Sequence, residues 1–150
     1  MSVQSQEKNM RKLAGLLSRN LSYIWGERES GPNGDKKLFL NTGKTFLRAL
    51  AKDLGLQEYN VSANPGGIAV SGDCSLIGMW HSSGIYVMIT QASFGLEELV
   101  LYREARHIRD YSSSRNQFLP RDALKSMPYS RLLDTFLTLR KEGNAYDRAA

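Results

Sequence analysis

Apolar residues recur at three- and four-residue steps in the first part of the chain and at two-residue steps in its middle. The two periods separate helices from strands. Met10, Leu13, Leu17, Leu21 and Ile24 fall at helical spacing, which predicts one amphipathic helix over residues 6–25, ended by Gly26. Residues 27–35 (ERESGPNGD) then read as a turn-rich loop, because Gly-Pro and Asn-Gly both interrupt regular structure. A second helix is expected to start at Asn41 or Thr42, both good N-caps, and to stop at Gly55. Phe46, Leu47, Leu50, Ala51 and Leu54 supply its buried side.

The period then changes. Residues 59–63 form a short strand, and Asn64-Pro65-Gly66-Gly67 fits a type II turn with Pro65 second and Gly66 third. From Ile68 the even positions (Ile68, Val70, Gly72, Cys74, Leu76, Gly78, Trp80) keep one parity, which favours a single strand over 67–80, bent at Gly72. A hairpin turning at Gly72-Asp73 is the competing reading. His81-Ser82-Ser83-Gly84 is a turn, and Ile85, Val87 and Ile89 alternate inward along a strand over 85–91. Residues 92–96 loop across, and 99–106 form the last strand. A polar loop comes next at 110–117, Pro120 opens a short helix to Lys125, and Pro128 precedes a final helix over 129–142. That helix buries Leu132, Leu133, Phe136, Leu137 and Leu139, and residues 145–150 make a frayed tail.

Short turns between strands exclude a parallel sheet, whose neighbours need long crossovers. The expected fold is one α+β domain over residues 1–150. It has two layers: an antiparallel meander of about four strands, with helices from both chain ends packed on one face.

At 150 residues the chain is long enough to bury a core, and 41% apolar with 23% charged residues excludes wholesale disorder. The formal charge of +5 and pI near 9.4 favour a polyanionic partner, although charge also simply keeps proteins dispersed. Its distribution says more: residues 53–102 contain no Lys or Arg, so the basic groups crowd the two ends of the sequence. Cys74 is alone, so no intramolecular disulfide forms, and within an apolar run it reads as a small buried hydrophobe. Residues 1–12 are polar and lack a signal-peptide core, and no apolar run nears the ~20 residues that span a bilayer. The expected location is cytoplasmic, in a bacterial or host-cell interior, or a virion, with no membrane contact.

Little of the chain carries recognisable chemistry. Gly43-Lys44-Thr45 resembles the end of a phosphate-binding loop, yet Leu38 stands where that motif needs its first Gly. His81-Ser82-Ser83 has the His-x-Ser form of two-histidine phosphoesterases, but the second histidine stands in His107-Ile108-Arg109, which departs from the pattern. Two histidines meeting across a sheet would act as base and acid near neutral pH. Cys74, His81 and His107 show no metal-ligand spacing, so no metal or cofactor is expected.

The candidate binding residues form two sets. Lys44, Arg48 and Lys52 lie at i, i+4 and i+8 and share one helix face, which a solvated surface also explains. Arg103, Arg106, His107, Arg109, Tyr111, Arg115 and Asn116 fall in a short segment that can fork onto phosphates, stack and hydrogen-bond. A charge-protected edge strand is the plainer account. On strand spacing Arg103 and Arg109 share a side and Arg106 opposes them, unless the strand ends near 106. The face away from the helices would mix Ala69, Ser71, Ser75 and Thr90 with Ile77 and Met79, a weakly charged surface that can pair with a second copy.

The run Asn64-Pro65-Gly66-Gly67-Ile68-Ala69-Val70-Ser71-Gly72, with Tyr86-Val87, Tyr102-Arg103, Asp110-Tyr111 and Arg115-Asn116, resembles small accessory proteins of phages and bacterial mobile elements across residues 54–118. The resemblance implies a protein that acts by binding, as a virion component or an inhibitor of a host defence complex, and carries over no functional residue. The leading expectation is thus a non-enzymatic binding protein that contacts nucleic acid or nucleoprotein through both basic sets. A self-assembling structural or virion protein using the low-charge sheet ranks second. A phosphoesterase using His81 and His107 ranks third.

Overall fold

A computed structural model describes residues 2–17, 35–65, 72–90, 100–111, 115–120 and 122–141. The helices are α1 (Val3–Leu17), α2 (Asp35–Asp53), α3 (Ala123–Ser126) and α4 (Tyr129–Leu137). The strands are β1 (Glu58–Asn64), β2 (Asp73–Met79), β3 (Gly84–Thr90), β4 (Val100–Ala105) and β5 (Gln117–Phe118). The strands pair in sequence order as one antiparallel sheet, β1-β2-β3-β4-β5. The fold is α+β, with helices at both chain ends.

The register explains where the core sits. Cys74 faces Ala63 and Ile89, Leu76 faces Val61 and Val87, and Gly78 faces Tyr59 and Ile85. Val100 and Tyr102 continue those rows opposite Ile89 and Val87. Cys74, Leu76, Ile85, Val87 and Ile89 pack with Met10, Leu13, Phe39, Phe46 and Phe136 in one buried cluster, so this face of the sheet carries the helices. The even parity expected for β2 is the observed one. Asp73 is a strand residue paired with both Asn64 and Thr90, which rules out the competing hairpin turn at Gly72-Asp73. The strand runs only over Asp73–Met79, short of the expected Trp80, while residues 67–71 of the expected strand, the turn at 66–67 and the crossing at 92–96 lie outside the described residues.

Helix α2 begins earlier than its capping chemistry suggests. Asn41 and Thr42 lie inside it, because the apolar stripe reaches back to Phe39, which is fully buried. Gly43-Lys44-Thr45 is therefore mid-helix and is neither a helix start nor a phosphate loop. Gly43 has a packing reason: a Cβ there would lie 2.5 Å from the Cys74 Sγ, so the missing side chain lets the helix close on β2. Gly55, at φ 75°, ends the segment in the left-handed conformation that Gly adopts without strain.

The chain ends are tied together by polar contacts. Gln6, fully buried on α1, donates through Nε2 to the Phe46 carbonyl at 3.2 Å and to the Tyr129 hydroxyl at 3.1 Å. The Tyr129 hydroxyl donates to Asp53 Oδ2 at 2.5 Å. Glu7 accepts the Tyr129 amide N–H at 2.8 Å, and so caps the first turn of α4 from a distant element. Arg11 donates to the Leu124 and Met127 carbonyls at 3.1 and 2.9 Å, where α3 ends. Helix α4 stops at Leu137, short of the expected residue 142, while Leu139 beyond it is still buried. Residues 18–34, including Leu21, Ile24 and Trp25 of the expected first helix, and the tail at 145–150 lie outside the described residues.

Candidate anion-binding surface

The same register turns the odd positions of β4 away from the helices. Leu101, Arg103 and Ala105 stand opposite Met88, Tyr86 and Gly84. Arg103 is only 6% exposed. Its guanidinium carbon sits 4.1 Å from the centroid of the Tyr86 ring, close enough for a cation–π contact. Its Nη1 donates to Asn116 Oδ1 at 2.9 Å, and its Nε is buried with no hydrogen-bond partner. Among the described residues no carboxylate pairs with it. Burial pushes the Tyr86 phenol above its ordinary 10.0 against the pull of the Arg103 charge, so the ring beneath the cation is neutral at physiological pH. Tyr111 meets Tyr86 edge-on, with centroids 5.9 Å apart, and remains 53% exposed.

Strand β4 ends at Ala105, so strand alternation does not extend to Arg106 and beyond. These next residues are held by Asp110, which is buried. Its Oδ2 accepts the Arg106 amide N–H at 2.8 Å and lies 3.7 Å from the Arg106 Nε. The Asp110 N–H donates back to the His107 carbonyl at 3.0 Å. The Arg109 N–H donates to His107 Nδ1 at 3.2 Å, which leaves Nε2 as the protonated nitrogen of the neutral imidazole. Arg106, His107, Arg109 and Arg115 are all exposed. The structure thus gathers Arg103, Arg106, His107, Arg109, Tyr111 and Asn116 about the outer face and one end of the sheet.

The second basic set lies elsewhere. Lys44, Arg48 and Lys52 ride on α2, which packs over β1 and β2 on the helical layer. Lys44 is half-buried and near enough to Cys74 to affect its thiol. The two sets expected to act together therefore belong to opposite layers. Cys74 is fully buried, and burial pushes its thiol up to about 12, with the Asp73 charge adding to the effect. It is a packing residue.

His81, on the turn after β2, and His107, on the turn after β4, line one cleft of about 440 Å³ together with Met79, Trp80, Arg106 and Glu58. Trp80 is fixed beneath it by donating through Nε1 to the Leu54 carbonyl at 2.7 Å. No group of three or more metal-ligating side chains occurs among the described residues. No helix among them is long and apolar enough to cross a membrane.

Sequence reasoning passes over two members of this surface. Tyr86 is absent from the candidate residues, yet Ile85, Val87 and Ile89 facing inward already require Tyr86 and Met88 to face out. Asp110 reads as loop polarity. Only its place four residues after Arg106 hints at the turn it anchors. No protein family matches the chain, and no curated protein or solved structure is detectably similar to it. The functional reading accordingly rests on this surface and not on the resemblance to phage and mobile-element proteins.

Proposed function

We propose that this protein is a non-enzymatic binding protein whose partner is polyanionic, a nucleic acid or a nucleoprotein. The contact surface lies where β4 ends. The observation that carries this reading is Arg103, a buried guanidinium stacked on Tyr86 without a carboxylate partner among the described residues. Desolvating a cation is costly unless an opposite charge offsets it, and here an amide oxygen and a ring face do so only in part. A phosphate near Asn116 would complete the set. Arg106, Arg109 and Arg115 would add exposed phosphate contacts. Binding should then weaken steeply with salt and depend little on sequence.

The test is fluorescence anisotropy with short nucleic acids at two salt concentrations. Replacing Arg106 and Arg109 together by Ala is expected to weaken binding at low salt and lower the salt slope by about one per arginine. Unchanged affinity in that double variant, with its thermal melt unaltered, would remove the assignment.

The shared cleft favours one second reading. His81 and His107 line the same opening beside Arg106, an arrangement that supports general acid–base work on a phosphoester. Turnover of a model phosphodiester that vanishes in both His81→Ala and His107→Ala would establish it, and no turnover by the unaltered protein would end it.

A further inference from the structure

The outer sheet face is laid out in rows. Glu58, Met79, Gly84 and Ala105 form one, and Asn60, Ile77, Tyr86 and Arg103 form the next. A third runs Ser62, Ser75, Met88, Leu101 and Phe118. Rows on one face are about 7 Å apart. The cleft between His81 and His107 opens at the first row, since Glu58 and Met79 line it. Tyr111 rests against the second row, and Phe118 ends the third; they are 53% and 48% exposed. The rows between are closed, since Ile77, Met79, Arg103 and Ala105 are buried, so the rings in water stand at the margin of the face, where arginines beside them suit unstacked bases with their phosphates. Such a margin does not suit a duplex, whose bases are stacked inside.

Resting on the polyanion reading, we propose that this face selects single-stranded nucleic acid. Bases stack on Tyr111 and Phe118, and one base enters the cleft between His81 and His107. Each group has a matching task. The exposed rings offer stacking faces, and stacking tolerates any sequence because every base has a π-face. Buried Met79 and Trp80 give the cleft an apolar floor. With Nδ1 accepting the Arg109 N–H, His107 offers its Nε2–H as a donor and the Glu58 carboxylate is an acceptor, which suits the mixed edge of a base. Ser62 and Ser75, joined by a hydroxyl hydrogen bond of 2.9 Å, make the far end of the third row polar and uncharged, while Met88 and Leu101 lead it to Phe118.

The experiment compares a short fluorescent single strand, its duplex, and polyglutamate, each titrated with the unaltered protein and with Tyr111→Ala/Phe118→Ala at low salt. Both rings are exposed, and circular dichroism melting checks that the double variant folds. Tyr111→Phe/Phe118→Tyr serves as the stacking-competent control. The expected result is tighter binding of the single strand than of the duplex. The alanine variant should lose roughly tenfold or more on the single strand alone, and the control variant should keep its affinity. Equal affinity for both forms, or an alanine variant that binds the single strand as before, overturns the stacking surface and leaves the polyanion reading intact. Polyglutamate binding as tightly as the single strand overturns it as well, in favour of an acidic protein partner. No binding of any probe at low salt overturns both readings.

Discussion

At Gly43 the helix lies so near the sheet that an added Cβ would sit 2.5 Å from the Cys74 Sγ and 3.2 Å from its Cβ. Replacing a mid-helix glycine by alanine ordinarily stabilises by about 1 kcal/mol. Here the sulfur must move or the layers must part, and overpacking of this kind costs about 1–3 kcal/mol. Gly43→Ala should therefore destabilise, against the helix-propensity rule. Removing the sulfur tests the cause. In a Cys74→Ala background the closest contact is gone and only the 3.2 Å contact remains, so the penalty should shrink or change sign. Urea unfolding of the two single variants and the double variant measures the coupling, and strictly additive costs would show that the sulfur is not responsible. The thiol gives a companion check. Because burial holds it protonated up to about 12, Cys74 should react with a disulfide reagent at neutral pH only as the chain unfolds.

Between elements, Tyr129 joins the C-terminal helices to both N-terminal ones, beside the Arg11 contacts and the packing of Phe136. Its hydroxyl bridges α1 and α2 through Gln6 and Asp53, and its ring meets Phe46 edge-on at 6.2 Å. Burial raises its pKa above the ordinary 10.0, and the donated hydrogen bond to Asp53 adds to that. The folded chain thus holds this proton more tightly than the unfolded chain does. The stability linked to it is whole below the unfolded value and is lost as pH climbs above it toward the higher folded value. Tyr129→Phe should cost about 1–2 kcal/mol at neutral pH. It should also flatten the loss of stability from about pH 9 to about pH 11, as followed by denaturant midpoints. Parallel pH profiles for the two proteins would count against the bridge. None of this is legible in the sequence, because Gln6, Asp53 and Tyr129 belong to three helices and no local pattern links them. What local pattern does show is parity and stripes. Alternation alone assigns Cys74, Leu76, Ile85, Val87 and Ile89 to the core face, where they lie. Where local chemistry competes with packing it misleads: Asn41 and Thr42 are good caps, but burial of Phe39 carries the helix past them. Strand β5 escapes a sequence reading, since its two residues gain strand character only from the backbone of β4.

Across the whole molecule, the absence of Lys and Arg from residues 53–102 becomes a sheet whose first three strands bring no basic charge, so among the described residues the cations sit on α1 and α2 and beyond β3. Sequence periodicity assigns each cation to a face of its own element. It does not say on which side of the sheet that element lies. Hence both basic sets are legible as residues, while their separation onto opposite layers is not. The separation can be measured. At physiological ionic strength exposed charges are screened over about 8 Å, so cations on α2 add less to a ligand held at the end of β4 than the arginines that touch it. Replacing Arg109 and Arg115 by Ala removes two charges, and replacing Lys44, Arg48 and Lys52 removes three. If net charge alone attracted the ligand, the lysine-side variant would lose more. If the surface at the end of β4 is the contact, the arginine pair should lose about tenfold in affinity for a short single strand and about two in salt slope. The variant with three replacements should then lose less than the arginine pair, since its charges ride on the helical layer and not on the contact surface. Equal losses in the two would mean that the strand wraps the edge of the sheet and reads both layers, which would extend the contact surface from β4 across to α2.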